Sequence, residues 1–136
     1  LDIVFANAEE AGLLCESTDV PAMAREFRSA GVGCAVIKTG AKGCYVCSDA
    51  FTGAVAGCVS RACVDTTGAG DTFAAAFLFA RASGRNDEDC ARFANAAASI
   101  CVEHLGATAH EITQEEVLAR CRENYGEGFG TITRFQ

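Results

Sequence analysis

The residues best suited to chemistry form one short string, Asp65-Thr66-Thr67-Gly68-Ala69-Gly70-Asp71. It lies between a strand-like run ending at Val64 and an apolar stretch from Thr72 to Arg81. Gly68-Ala69-Gly70 leaves successive backbone N–H groups unobstructed where the pattern predicts a helix to begin. Unpaired donors and the helix dipole favour an anion there. A carboxylate beside such a site repels phosphate and needs a reason to be present. General-base work on a hydroxyl that attacks a phosphoryl group supplies one. The plainer alternative is that Asp71 caps the helix and the glycines make a tight turn.

Cysteine and histidine offer less. Cys44-Tyr45-Val46-Cys47 has a C-x-x-C spacing, with Cys58 and Cys63 downstream as further zinc ligands. The stretch reads as a strand, however, and would turn Cys44 and Cys47 to opposite faces. The nine Cys, odd in number and scattered, do not make a disulfide framework; they read as reduced thiols packed as small apolar residues. His104 and His110 read as surface or helix-end residues.

The elements that must position the string follow from hydrophobic pattern and breakers. Ile3–Phe5 reads as a buried strand, and Ala11–Leu14 has helical character. Thr18 or Asp19 can cap a second helix with Pro21 in its first turn and Gly31 at its end. Ala35–Ile37 and Cys44–Cys47 read as strands joined by the Thr39–Gly43 turn, and Phe51–Val59 as short β segments broken by Gly53 and Gly57. Thr72–Arg81, almost entirely apolar, predicts a helix buried on most sides. A further helix capped by Asn86 or Asp87 presents Cys90, Phe93, Ala94, Ala97, Cys101 and Leu105 at helical spacing. Thr113 with Glu116 signals a capping box for a last helix, and Tyr125–Gly130 reads as a loop. Strands alternating with helices predict an α/β sandwich with a mostly parallel sheet.

Composition narrows the partners. The chain of 136 residues is half hydrophobic and carries a formal net charge of −7, which disfavours nucleic acid and anionic membrane surfaces. A nucleotide remains admissible, because backbone amides and Mg²⁺ neutralise phosphate locally. No apolar run reaches membrane-spanning length and no signal peptide is read, so a cytoplasmic location is expected. There is no G-x-x-x-x-G-K-[ST] and no G-x-G-x-x-G after a strand.

Asp65–Asp71 resembles the C-terminal signature of the ribokinase-like (pfkB) carbohydrate kinases at every position of its D-T-T-G-A-G-D form. Three further segments fit in order: Asn7-Ala8-Glu9-Glu10 resembles an N-x-x-E motif, and Lys38-Thr39-Gly40-Ala41-Lys42-Gly43 a nucleotide-site turn. Phe93-Ala94-Asn95-Ala96-Ala97-Ala98 resembles the Ala-rich helix beside the adenine, followed by Gly106-Ala107. The resemblance spans about residues 1 to 110. It implies an ATP-dependent kinase in which Asp71 is the general base and Gly68, Ala69 and Gly70 form an anion hole. Asn7 and Glu10 would act through water and Mg²⁺. Lys38, Gly40 and Gly43 would line the nucleotide site, with Asn95 near the base. Asp65, Thr67 and Gly106 are candidate ligands of a K⁺ ion.

Members of that family are about twice this length, and the chain begins without Met inside a strand. The expectation is therefore the C-terminal, catalytic half of a partial ribokinase-like α/β/α sandwich, lacking the N-terminal strands and lid and inactive alone. Its first strand would then expose an edge, inviting self-association, a homodimer included. The expected substrates are a sugar and ATP. A nucleoside kinase and a non-catalytic nucleotide-binding module are the competing readings.

Overall fold

The computed structural model of the protein describes residues 2–60, 63, 68–104 and 112–126. The chain divides into two compact units, residues 1–56 and 57–136.

The first unit carries a four-stranded sheet in the order β1-β2-β3-β4. Its strands are β1 (Ile3–Asn7), β2 (Cys34–Lys38), β3 (Gly43–Ser48) and β4 (Thr52–Ala56). Helices α1 (Ala8–Cys15) and α2 (Val20–Ser29) connect β1 to β2. That crossover makes β1 and β2 parallel, whereas β2–β3 and β3–β4 are antiparallel. The sheet is thus mixed, not mostly parallel. The reason lies in the connections, a turn at Thr39–Lys42 and another at Asp49–Phe51, closed by Thr39 N–H to Gly43 O at 2.9 Å and Ser48 N–H to Phe51 O at 2.8 Å. Links this short permit only antiparallel return, since a parallel partner needs a crossover of about a dozen residues or more.

Ala6, Ala35, Ile37 and Cys47 on one sheet face pack with Ala11, Met23 and Ala24 of α1 and α2. Cys34, Val36 and Val46, on the alternate face, are also buried, so β2 is apolar through most of its length. Helix α2 has Asp19 as N-cap and Pro21 in its first turn, and Gly31 follows its end at φ +102°. Helix α1 starts at Ala8, earlier than its apolar pattern predicts, because Asn7 caps it. Strand β4 runs through Gly53 rather than breaking there; a Cβ at that glycine would meet the Phe51 ring at 3.3 Å.

The second unit contains α3 (Ala69–Ala82), α4 (Asp87–Cys101) and α5 (Gln114–Tyr125). Asn86 caps α4, accepting from Asp89 N–H at 2.8 Å, and Thr113 with Glu116 forms the expected capping box of α5. Cys90, Phe93, Ala94, Ala97 and Cys101 of α4 are buried as their spacing predicts. Small residues on α4 let its neighbours approach closely, and Phe93 stacks on Phe79 of α3 at 5.9 Å. Helix α3 departs from expectation. It buries only the stripe Phe73, Phe77 and Ala80, while Leu78 and Phe79 are about half exposed at 46% and 48%. Its Ala74-Ala75-Ala76 run raises hydropathy without requiring burial on every side. Tyr125, expected in a loop, closes α5, with Gly126 as C-cap.

All nine cysteines are free thiols, seven of them buried. Among the described residues no helix is long and apolar enough to cross a membrane. Val64, Leu105, His110 and residues 127–130 lie outside the described residues.

Candidate functional site

The first unit holds a groove of about 980 Å³ whose rim includes Asn7, Lys38, Thr39, Gly40 and Lys42. Asn7 and Lys38 end the parallel strands β1 and β2 and are partners in register. The groove therefore opens at the carboxyl end of the parallel pair, where α/β sheets commonly bind ligands. Two residues predicted from distant motifs, Asn7 and Lys38, are brought side by side. Val20, Pro21, Tyr45 and Ala54 give the groove an apolar wall.

Gly40 and Gly43 belong to the turn that follows Lys38. Gly40 adopts φ +69°, a left-handed conformation that glycine takes without strain, and a Cβ there would meet nothing within 4 Å. Gly43 has φ +116° at the start of β3 and does not line the groove. Glu10 is likewise off the rim. Its backbone N–H donates to Asn7 Oδ1 at 2.7 Å, and its carboxylate accepts from Asn7 N–H at 3.4 Å. The N-x-x-E motif is a capping box here, a local role that the residues fulfil whatever else they bind.

Sequence reasoning passed over four groove residues: Glu9, Thr39, Lys42 and Tyr45. Thr39 and Lys42 stood within the quoted turn and Glu9 within the quoted N-x-x-E motif. Tyr45 lies two residues past the turn in β3, and only strand register could have revealed it. Cys44 also lines the groove, whereas Cys47 packs into the core on the α1–α2 face.

In the second unit the signature runs into α3. Gly68 is the N-cap at φ +81° and ψ −3°, with no side-chain cap hydrogen bond. Thr72 N–H donates to Gly68 O at 2.9 Å, the first bond of the helix. The amides of Ala69, Gly70 and Asp71 precede that bond and have no acceptor within the helix. Asp71 is exposed in the first turn and does not occupy the cap position. Asp65, Thr66, Thr67 and Gly106 lie outside the described residues.

Asn95 is buried in α4, and its Nδ2 donates to Tyr125 Oη of α5 at 3.3 Å. Tyr125 Oη also lies 3.4 Å from Cys58 Sγ, and the Arg92 guanidinium sits over the Tyr125 ring at 5.5 Å. Burial, and after it the contact with Cys58, raises the phenol pKa; burial likewise pushes the Cys58 thiol up. His104 follows α4, its backbone N–H donating to Cys101 O at 3.2 Å.

The donor types match a phosphorylated ligand. Lys38, Lys42 and the Gly40 turn suit phosphate oxygens, and the groove has the volume of a small-molecule site. Among the described residues no group of three His, Cys, Asp or Glu could hold a metal.

Comparison with known proteins gives the family. Residues 1–114 match the pfkB family carbohydrate kinase. The chain is 34% identical over 124 residues to the ribokinase of Haemophilus influenzae, covering 87% of this chain and 40% of that protein. It is 33% identical over 125 residues to a nucleoside kinase of Methanothermobacter thermautotrophicus, covering 92% and 39%. The structure of Arabidopsis thaliana ribokinase complexed with ribose and ATP matches with a TM-score of 0.78 at 32% identity, over 90% of this chain and 41% of that one. The protein belongs to the pfkB carbohydrate kinase family and carries part of the ribokinase fold. It spans about two-fifths of the length of these relatives.

Proposed function

We propose that these residues form the nucleotide-binding and catalytic part of an ATP-dependent kinase acting on a sugar hydroxyl. Asp71 is the general base, and the amides of Gly68, Ala69 and Gly70 are the anion hole. The hydroxyl gives its proton to the Asp71 carboxylate, its oxygen forms the new bond to the γ-phosphorus, and the bond from that phosphorus to the β–γ bridging oxygen breaks to release ADP. The amides at the start of α3 balance charge on the transferring group without reorganising. Lys38, Gly40 and Asn7 hold the nucleotide phosphates. Gly43 shapes the turn, Glu10 fixes Asn7, and Asn95 orders the helix on the adenine side. Mg²⁺, when bound, neutralises phosphate charge; Glu10 reaches it through water. Asp65, Thr67 and Gly106 are proposed K⁺ ligands.

The observation carrying this reading is the uncapped, glycine-led start of α3 with an exposed Asp71 one turn in. Asp71 stands at the third helical position, where Glu10 and Glu116 complete the capping boxes of α1 and α5, but Gly68 has no side chain to make the reciprocal bond. A nucleoside is the second candidate acceptor, favoured by the match to a nucleoside kinase over 92% of the chain.

The test is phosphoryl transfer from MgATP to a panel of sugars and nucleosides, measured in the protein that carries these residues. Asp71→Asn should lower kcat by about 10²–10⁴-fold while MgATP affinity stays within about threefold. Unchanged turnover would remove Asp71 from the role of base.

A further inference from the structure

Helix α5 begins where the match to the family model ends, at residue 114. It nonetheless grips the chain on its way to the signature. Val59 N–H donates to Asn124 Oδ1 at 3.0 Å, and Cys58 Sγ meets Tyr125 Oη at 3.4 Å. Ser60 Oγ donates to Ser99 O in the last turn of α4 at 3.0 Å. The Val59 side chain is 78% exposed, so its burial does little to hold this segment. Polar contacts carry much of the anchoring.

The other flank of the signature returns to the same turn of α4. Thr72 Oγ1, in the first turn of α3, donates to Cys101 Sγ at 3.6 Å. Ser99 and Cys101 thus receive the two flanks two residues apart. Helix α5 locks that turn as well, because Arg120 Nη1 donates to Ser99 Oγ at 2.9 Å. Asn124 Nδ2 in turn donates to Arg120 O at 3.0 Å.

We infer that α5 is a positioning element for the signature, with Asn124 and Tyr125 as positioning residues that hold its lead-in and thereby the first turn of α3. The consequence for turnover rests on the kinase reading above; the consequence for α3 does not. An anion hole and its base work only when held to a fraction of an ångström, so loosening one flank costs rate more than ground-state binding.

The experiment compares Asn124→Ala, Asn124→Asp and Tyr125→Phe with the wild type, by amide hydrogen exchange and by steady-state kinetics with MgATP. Losing one hydrogen bond in Asn124→Ala should speed exchange at Val59 and at Thr72 by about tenfold. kcat should fall by about tenfold, with KM for ATP within about threefold. Asn124→Asp keeps the acceptor for Val59 N–H but loses the donor to Arg120 O, so it should recover part of both readouts. Tyr125→Phe keeps the ring over Arg92 and should give the same direction of change, which keeps the inference testable if Asn124→Ala does not fold. Faster exchange confined to Val59, with Thr72 unchanged, would overturn the positioning role, as would Asn124→Asp behaving like Asn124→Ala. Absence of phosphoryl transfer in the wild-type protein that carries these residues together with the lid and the preceding strands would sink the kinase reading, and exchange at Thr72 would then decide the positioning role alone.

Discussion

Arg120 offers the sharpest energetic test of how the helical unit is held. Its side chain is 5% exposed, and Nη2 pairs with the Glu103 carboxylate, itself 12% exposed, at 3.0 Å. Nη1 donates to Ser99 Oγ at 2.9 Å, while the Nε contact to Glu123 at 3.6 Å involves a carboxylate 54% exposed. The buried pair therefore dominates. Replacing Arg120 by Met keeps much of the volume and removes the guanidinium, so the nearly buried Arg120–Glu103 pair is broken from one side. Ser99 Oγ still donates to Ala96 O at 2.7 Å, so the hydroxyl adds little to the loss. Breaking one side of such a pair costs about 3–5 kcal/mol. For a chain of this size that corresponds to a fall in Tm of roughly 10–20 °C.

The same reasoning fixes the control. In Arg120→Met with Glu103→Leu no buried charge is left, and stability should return to within about 1 kcal/mol of wild type. Arg25, 4.0 Å from Asp19 and more than 60% exposed on both sides, makes a pair worth about 0–1 kcal/mol, so Arg25→Ala should barely register. Urea denaturation with matched m-values gives all of these numbers. A single variant losing under about 1 kcal/mol, or a double variant as unstable as the single, would refute the claim that the cost is that of breaking the Arg120–Glu103 pair from one side.

Three further outcomes follow from particular contacts. Asn7→Ala removes the α1 cap and should cost about 0.5–2 kcal/mol in urea denaturation, whereas Asn7→Asp keeps the acceptor for Glu10 N–H and should cost little. Asp71→Asn should leave the fold within about 1 kcal/mol of wild type, because an exposed carboxylate in a first turn contributes only a dipole interaction; a larger loss would mean that its effect on turnover reflects folding. Burial, with Asp87 next, pushes the Cys90 thiol from 9.0 to about 12, and burial raises Cys58, Cys121 and Tyr125 in the same direction. Cys90 stays protonated longer folded than unfolded, so its stabilisation is complete below pH 9.0 and is lost as pH rises toward 12; Cys58 and Cys121 act in the same direction above 9.0 and Tyr125 above 10.0. A thermal scan flat from pH 7 to 8.5 and falling steeply above 9 is the expected result.

Much of the architecture could be read from the residues, and the misses have physical causes. Strands β1, β2 and β3, the caps Asn86 and Thr113 and the buried stripe of α4 followed from periodicity and cap chemistry. The sheet direction did not, although the short links after Lys38 and Ser48 already excluded parallel pairing. Connection length, not the alternation of strands with helices, sets the direction of β3 and β4. The groove was half legible: Asn7, Lys38 and Gly40 came from motifs, but Tyr45 needed strand register, and Asn7 and Glu10 concealed a local cap inside a functional pattern. The packing of α5 against the signature's lead-in was not legible, because a hydrogen bond from Val59 to Asn124 spans 65 residues and leaves no periodic trace.

The caps themselves argue for where an anion belongs. Helices α1, α4 and α5 begin at Asn7, Asn86 and Thr113, each accepting a backbone amide with its side chain. Helix α2 lacks such a bond but carries Pro21 in its first turn, which removes one donor outright. Helix α3 does neither. It starts at a glycine that has no side chain to offer and so makes no side-chain cap bond to the first-turn amides. A side-chain cap at that position typically adds about 1 kcal/mol, so omitting it is a cost to the fold. The cost is intelligible if the donors are kept for a ligand's oxygens. Gly68 is in the left-handed region at φ +81°, whereas the capping Asn7, Asn86 and Thr113 are all extended. Substituting Gly68 by Asn, which tolerates positive φ, sets a side chain beside the amides without that cap geometry. Thermal stability should change little while MgATP turnover falls; turnover that survives intact would mean the open amides serve no anion.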